Sequence, residues 1–409
     1  MAITKLFKSF LEFFLDIGND IQTKGIFGVI YNRNFRALLY QIITVVILSI
    51  AFYSIYIVTA ENMDKRGLTS GWHFLGVESQ FDIQMTLIEY SPTSTYFKAF
   101  IVGLLNTLLV AGLGIFFATI IGFGVGILRL SSNWLVAKLA ETYVEIFRNI
   151  PLLLQIFFWY FAVLRALPSP KKSIEFFDII FLNNRGLFLP NPVYEQAAIY
   201  ILYSLITAVI ISIGIFVWAR KRQNNTGQTF PSFYTSVSVI IVFLLVSILG
   251  TGVPISFDYP ELKGFNFKGG MQLIPELVAL AFALAMYTAS FIAEVVRAGI
   301  LAVSKGQTEA AKSIGLKPGL TLRLIIIPQA LRVIVPPLTN QYLNLTKNSS
   351  LAAAIAYPDL VLVFAGTALM QTGQAIEIIS MVMGVYLFLS LFTSMVMNIF
   401  NRTMNIAER

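Results

Sequence analysis

Two pairs of ionisable residues lie inside stretches that are otherwise apolar. Glu145 precedes Arg148 by three residues, and Glu294 precedes Arg297 by the same spacing. A spacing of three places both side chains of a pair on one face of a helix. Ionisable groups are costly within a membrane and usually face an interior, a cavity or each other. Each pair therefore either satisfies itself or a neighbouring helix, or lines a polar pathway.

Further polar residues recur in similar apolar surroundings. Two interpretations of them remain open, because they could line a path for a zwitterionic solute or could hydrogen-bond one helix to another. These candidates are Asn106, Thr107, Asn340, Gln341, Lys347, Asn348, Ser349 and Ser350.

The composition excludes several other kinds of chemistry. The chain has no cysteine and only one histidine, His73, so thiol nucleophiles, disulfides and paired-histidine metal motifs are excluded. The glycine-rich stretch Gly264 to Gly270 lacks the Lys-Ser/Thr ending of a phosphate loop. No soluble patch of basic residues interleaved with aromatic ones appears, so no nucleic-acid partner is expected. We therefore expect no enzyme activity and no cofactor in this chain.

The elements that must position the polar residues are membrane helices. The chain is 57% hydrophobic and 12% charged, whereas soluble domains average about 25% charged residues. Eight apolar runs approach or exceed the roughly 20 residues that cross a bilayer. They are predicted at about 38–59, 99–128, 139–164, 194–218, 233–249, 273–303, 324–345 and 376–399. The predicted fold is an all-α integral membrane protein with about eight transmembrane helices.

Prolines and glycines predict local features of these helices. Pro151 should kink or interrupt the third span, because proline removes a backbone donor and clashes with the preceding turn. Gly122 and Gly126 form a GxxxG pair, which favours close helix packing. The seventh span should bend at its prolines, which are Pro328, Pro336 and Pro337.

The first 36 residues are basic and amphipathic. Their apolar residues predict a helix that lies along the membrane surface; they are Leu6, Phe7, Phe10, Leu11, Phe13 and Phe14. Lys8 and Glu12 interrupt this apolar segment, so a cleaved signal peptide is not expected.

A short polar segment, Ser304 to Pro328, separates two of the apolar spans. Ser304 and Gln307 have the spacing of a capping box, which would begin a helix. Gly315 suits the left-handed position after the last helical turn, and Pro318 blocks its continuation. Such a charged helix cannot lie in hydrocarbon, so it should sit in a solvated loop and present a face to a partner.

This segment resembles the EAA loop of ABC-importer permeases. The matching residues are Glu309, Ala310, Ala311, Gly315, Ile325, Ile327 and Pro328, with Ile327 where leucine is usual. The resemblance implies a type I permease core of five helices. It also implies that Glu309, Ala310, Ala311, Lys312 and Gly315 belong to a coupling helix that docks into a cleft of a cytoplasmic ATPase.

A second stretch strengthens the resemblance and narrows the family. Residues 147–153 read FRNIPLL, and polar-amino-acid permeases usually have threonine where Ile150 stands. An extra N-terminal span and two inserted spans resemble the long permease subunit of general L-amino-acid ABC transporters. The expected organisation is an N-terminal part at 1–98, a first core part at 99–166, an insertion at 167–271 and a second core part at 272–409.

The distribution of charge predicts the orientation. With the N-terminus in the cytoplasm, the inner segments hold 16 lysines and arginines and the outer loops hold 9. The positive-inside rule therefore favours both termini in the cytoplasm. The resemblance implies that the membrane is a bacterial inner membrane. The same orientation places Ser304 to Arg323 where an ATPase could reach it.

The resemblance also implies a mechanism and partners. An ATPase dimer, which would carry ATP and magnesium, would close and move the helix around Glu309, so that the bundle alternates between inward-open and outward-open states. A periplasmic amino-acid-binding protein, a second and shorter permease subunit and membrane lipid complete the expected partners. The alternative is a secondary amino acid transporter driven by an ion gradient, which would show midplane carboxylates on broken helices and two similar halves.

Overall fold

The structure is a computed structural model that describes residues 33–65, 71–194, 197–252 and 255–404. The predicted surface helix in residues 6–14 lies outside the described residues. The chain divides into two compact units. One contains Met1–Trp72 with Thr372–Glu377, and the other contains His73–Gln371 with Ile378–Arg409.

Helices account for most of the described chain. The first six are α1 (Arg33–Lys65), α2 (Tyr96–Leu128), α3 (Trp134–Asn149), α4 (Leu152–Phe157), α5 (Ala198–Thr226) and α6 (Ser232–Thr251). The next six are α7 (Pro275–Leu301), α8 (Lys305–Ser313), α9 (Pro318–Thr321), α10 (Ile327–Asn348), α11 (Leu369–Thr372) and α12 (Ala375–Met404). Short π-helical segments at Phe158–Leu164, Leu322–Ile326 and Val361–Ala368 extend or precede three of these helices, and Ser349–Ile355 is a 3-10 segment.

The number of spans agrees with the sequence prediction. Seven single helices among the described residues are long and apolar enough to cross a membrane, and a bent pair raises the number to eight. The bend separates Trp134–Asn149 from Leu152–Leu164 and measures 104°. It falls at Pro151, whose missing N–H interrupts the helical ladder, so the predicted kink is confirmed.

The predicted bend in the seventh span is different in the structure. Pro336 and Pro337 lie inside α10, and Pro318–Ile355 forms one candidate span without a sharp break. A π-helical turn at Leu322–Ile326 precedes Pro328 instead. A wider turn of this kind accommodates a proline, which has no N–H to donate, while the helix continues.

Helix α7 is the centre of the larger unit. It packs against α2, α3, α4 and α10, and more than half of its most apolar stretch is buried. Helix α2 approaches it closely at Gly122 and Gly126. A Cβ atom on Gly122 would lie 2.6 Å from Ile292, and one on Gly126 would lie 2.8 Å from the carbonyl oxygen of Ala293. The GxxxG pair therefore serves helix packing, as the sequence predicts.

Small antiparallel sheets flank α5 and α6, and the sequence analysis did not predict them. One sheet has the order β1 (Ile174–Phe176), β2 (Ile180–Asn183), β3 (Gly186–Leu189) and β8 (Met271–Leu273). Two further pairs join β4 (Asn191–Tyr194) to β5 (Ile255–Asp258) and β6 (Glu261–Lys263) to β7 (Asn266–Lys268). Strands that precede α5 thus pair with strands that follow α6. This pairing brings the two ends of the inserted segment together, so that α7 begins near the point where the insertion starts.

The loop before α2 folds back onto the helices. Phe74 and Ile83 are buried in it, and the Asn106 side chain of α2 donates to the carbonyl oxygen of Met85 at 2.9 Å. The sequence analysis did not predict this packing, because the isolated apolar residues of the loop have no helical or strand period.

We expect Gly122→Val to destabilise the bundle, because its Cβ would overlap Ile292. Overpacking of this kind costs about 1–3 kcal/mol. The matched control is Gly124→Val, since a Cβ there meets no described atom within 4 Å. Size-exclusion chromatography of detergent extracts should show a lower monodisperse yield for the Gly122 variant only. Equal yields for the two variants would contradict the close contact.

Candidate functional site

Helix α8 forms the exposed part of the polar segment. It runs from Lys305 to Ser313, with Ser304 at the N-cap. The predicted capping box is wrong, because the Ser304 side chain makes no capping hydrogen bond with the described residues. The Gln307 amide instead accepts a hydrogen bond from Gln329 of α10 at 3.3 Å, which ties α8 to the next span.

The end of α8 has the predicted geometry. Gly315 has φ +76°, and its N–H donates to the carbonyl oxygen of Lys312 at 2.9 Å. The N–H of Leu316 donates to the carbonyl oxygen of Ala311 at 3.0 Å. These two bonds form a Schellman motif, which stops the helix and reverses the chain. Pro318 then begins α9, so both predicted stop signals are confirmed.

One face of α8 contacts its own chain and the other is open. Ala311 is 1% exposed, whereas Glu309, Ala310 and Lys312 are exposed. Ile314, directly before the turn, is 76% exposed. The buried alanine lies on the side of α8 that contacts its own chain, and the exposed face combines charged and apolar groups.

A cluster of charges lies near the end of α7 that leads into α8. The Glu294 carboxylate contacts the Arg129 guanidinium, accepts a hydrogen bond from Arg297 at 2.6 Å and lies 3.9 Å from the Arg148 guanidinium. Arg129 ends α2, Arg148 lies in the last turn of α3, and the other two residues belong to α7. One carboxylate therefore links three helices.

The predicted pairs differ in outcome. Glu294 and Arg297 form a pair, as the sequence predicts. Arg148 faces Glu294 and stacks over the Phe291 ring at 5.1 Å, while Glu145 is exposed. Of the alternatives left open for Arg148, the structure therefore shows the contact with a neighbouring helix, because Glu294 of α7 lies within reach of its guanidinium.

Asn106 and Thr107 are fully buried and bound to backbone. Asn106 donates to the carbonyl oxygens of Met85 and Pro358, both at 2.9 Å. The Thr107 hydroxyl donates to the carbonyl oxygen of Gly103 and accepts from the Leu360 N–H at 3.0 Å. In this structure the two side chains hold the segment around Pro358 against α2.

The other polar candidates lie along α10 and the 3-10 segment after it. Ser349 is buried and donates to the carbonyl oxygen of Thr346 at 2.7 Å. Lys347 and Ser350 line a cavity of about 570 Å³ together with Tyr386 and Ser390 of α12. The remaining members are exposed or half-buried, namely Asn340, Gln341 and Asn348. Of these side chains, only Lys347 and Ser350 meet at this cavity.

Several important polar residues were not singled out from the sequence. Asp359 is fully buried and caps the following helical segment by accepting from the Leu362 N–H at 2.9 Å. Glu276 accepts from the Tyr160 hydroxyl at 2.6 Å and lies 3.7 Å from Arg165. Glu276 directly follows Pro275, so an acidic first helical turn was a readable signal. For Asp359, the only signal in the sequence was its position directly after Pro358.

The fold is that of a multi-spanning membrane protein in which a short, exposed helix lies between two candidate spans. Residues 222–406 match the family model described as binding-protein-dependent transport system inner membrane component. The chain is 52% identical over 378 residues to the putative amino-acid ABC transporter permease protein YhdX of Escherichia coli, covering 92% of this chain and 96% of that protein.

Two further relatives are similar over nearly the full chain. The general L-amino acid transport system permease protein AapQ of Rhizobium johnstonii is 50% identical, covering 93% of this chain and 95% of that protein. The glutamate/glutamine/aspartate/asparagine transport system permease protein BztB of Rhodobacter capsulatus is 40% identical, covering 93% and 96%. The chain belongs to the family of amino-acid ABC transporter permeases and is a membrane-spanning subunit of such a transporter.

We expect Glu294→Gln to destabilise the purified protein, because three arginines lose their shared carboxylate. Glu294 is 28% exposed, so solvent screening reduces the loss to about 1–2 kcal/mol. The thermal midpoint in detergent should fall by about 3 °C or more. Glu145→Gln is the matched control, since Glu145 is exposed, and should leave the midpoint unchanged. Equal midpoints for both variants would contradict the linking role of Glu294.

Proposed function

We propose that this chain forms the substrate pathway of an ATP-driven importer of L-amino acids. The observation that carries the proposal is the exposed, sharply terminated helix α8, tied to the bundle by Ala311 and by the contact between Gln307 and Gln329. The names of the relatives support amino acids as the substrate class, and those of AapQ and BztB favour several amino acids rather than one.

In this proposal the face around Glu309 docks into a cytoplasmic ATPase. The exposed face of α8 offers Glu309 and Lys312 for ion pairs and Ile314 for an apolar pocket. The Schellman turn at Gly315 ends α8 and leads the chain directly into α9. A displacement of α8 would therefore move α9 and α10 rather than unwind the loop between them. ATP and magnesium would bind the partner ATPase, not this chain.

The pathway itself is proposed to run beside α10 and α12. Lys347 and Ser350 line the 570 Å³ cavity, and Asn340 and Gln341 lie about two turns before Lys347 on α10. An ammonium and a hydroxyl are suited to the carboxylate of an amino acid. Because a five-helix core supplies half a pathway, a second permease subunit would cover this face, and the insertion at 167–271 favours a shorter homologue over a second copy.

The orientation follows the same proposal. Both termini and α8 would face the cytoplasm, and the β-strands beside α5 and α6 would face the periplasm, where a binding protein delivers substrate. The distribution of lysine and arginine supports this arrangement. The ion-driven alternative is not favoured, because the full-length relatives are ABC transporter permeases.

The first test is purification of the tagged chain in mild detergent, followed by mass spectrometric identification of the proteins that accompany it. We expect an ABC ATPase and a second, shorter permease. A chain that purifies alone and transports amino acids into liposomes under an ion gradient, without ATP, would contradict the proposal.

The second test is Gly315→Asp, which forces a residue with a Cβ and a charge into a left-handed position. We expect normal insertion but a loss of more than about tenfold in amino acid uptake per ATP hydrolysed in proteoliposomes. Gly319→Asp adds the same charge in the first turn of α9, where φ is ordinary and no described atom lies within 4 Å of a Cβ. That control should retain uptake, and normal uptake by both variants would refute the coupling role of the Gly315 turn.

A further inference from the structure

A second, smaller cavity lies where α2, α3 and α7 meet, apart from the cavity at Lys347. Its volume is about 350 Å³, and its lining residues are Arg129, Trp134, Ala137, Lys138, Glu141 and Arg297. Arg129 follows the end of α2, Arg297 lies in the last two turns of α7, and the others belong to the first half of α3. Three helices thus contribute to one polar concavity.

The balance of charges at this cavity is positive. Three cationic side chains line it, against one carboxylate, Glu141, which accepts from Lys138 at 2.9 Å. Glu294 contacts Arg129 and Arg297, Glu145 acts on Lys138, and Arg148 lies 3.9 Å from Glu294, so that four cations stand against three carboxylates in all. The surplus of about one positive charge suits a singly charged anion. The Nε of Arg297 is buried without a hydrogen-bond partner among the described residues.

The surroundings of the cavity favour an anion that belongs to a membrane. Trp134 is 76% exposed at the rim, and Leu135 and Leu139 of the same helix are exposed as well. Tryptophan beside lysine and arginine is typical of the boundary between hydrocarbon and water. Helix α3 turns by 104° from the segment that follows it, so the two do not form one straight span. A soluble protein partner would not require exposed leucines beside the anion site.

We propose that this cavity binds the phosphodiester headgroup of an anionic phospholipid, with Arg129, Lys138 and Arg297 as donors and Trp134 at the acyl-chain boundary. Basic pockets between membrane helices are suited to such headgroups. In the orientation proposed above, the lipid belongs to the cytoplasmic leaflet. Bound there, it would brace the ends of α2, α3 and α7 about two turns from the start of α8. The proposal does not depend on which solute is transported.

The test counts lipids that remain bound to the full chain, purified with the subunits that accompany it, by native mass spectrometry. Phosphatidylglycerol and phosphatidylcholine with identical acyl chains are titrated in parallel. We expect phosphatidylglycerol to bind at least about fivefold more tightly, and Lys138→Gln to weaken its binding about fivefold, the effect of one cation near a lipid headgroup.

Two further variants separate recognition from general stability. Glu141→Gln removes the carboxylate that competes for Lys138, so it should strengthen phosphatidylglycerol binding, which a structural defect would not do. Arg222→Gln is the matched control, because Arg222 stacks over Trp218 at 5.4 Å and does not line this cavity. It should leave binding unchanged.

Four outcomes would overturn the proposal. Phosphatidylcholine could bind as tightly as phosphatidylglycerol, or Arg222→Gln could weaken binding as much as Lys138→Gln. Millimolar inorganic phosphate could displace the lipid, which would identify a soluble anion as the ligand. Finally, lipid could bind the chain alone but not the assembled complex, which would identify a protein subunit as the occupant of the cavity.

Discussion

Close packing between α2 and α7 is the constraint on which the larger unit depends. Gly122 and Gly126 leave no room for a Cβ against Ile292 and Ala293, so α2 and α7 lie in close contact there. In a membrane, apolar surfaces gain little from being hidden from lipid, so helix association relies on such tight contacts and on polar links. Helices α3, α4 and α10 then pack around α7.

Polar links secure both ends of this central helix. Near its first turn, Glu276 binds Tyr160 of the π-helical segment that continues α4, and near its last turns Glu294 binds arginines from α2 and α7. Helix α8 follows directly, held by buried Ala311. A displacement of α8 would therefore be transmitted to α7, which ion pairs and close packing hold against its neighbours. The proposed coupling needs this stiffness, because a soft bundle would absorb the movement.

Much of the architecture could be predicted because the membrane restricts the choices. Apolar length predicted all eight spans, Pro151 predicted the break between α3 and α4, and Gly315 with Pro318 predicted the end of α8. The strands beside α5 and α6 were missed, since three- and four-residue strands leave too short a pattern to recognise. The capping box at Ser304 failed because Gln307 found a partner on α10, which no local pattern reveals.

The sequence by itself determined the class of protein, the number of spans and the position of helix α8, because these follow from apolar length, helix-terminating residues and the spacing of one motif. Only the tertiary structure decided the partners of the polar side chains. Arg148 lies beside Glu294 on another helix. Asn106 and Thr107 form hydrogen bonds with the backbone of Pro358 and Leu360. Arg129 and Arg297 line the same cavity. Charges and hydrogen bonds act between residues that are distant in the chain, so their pairing depends on how the helices pack.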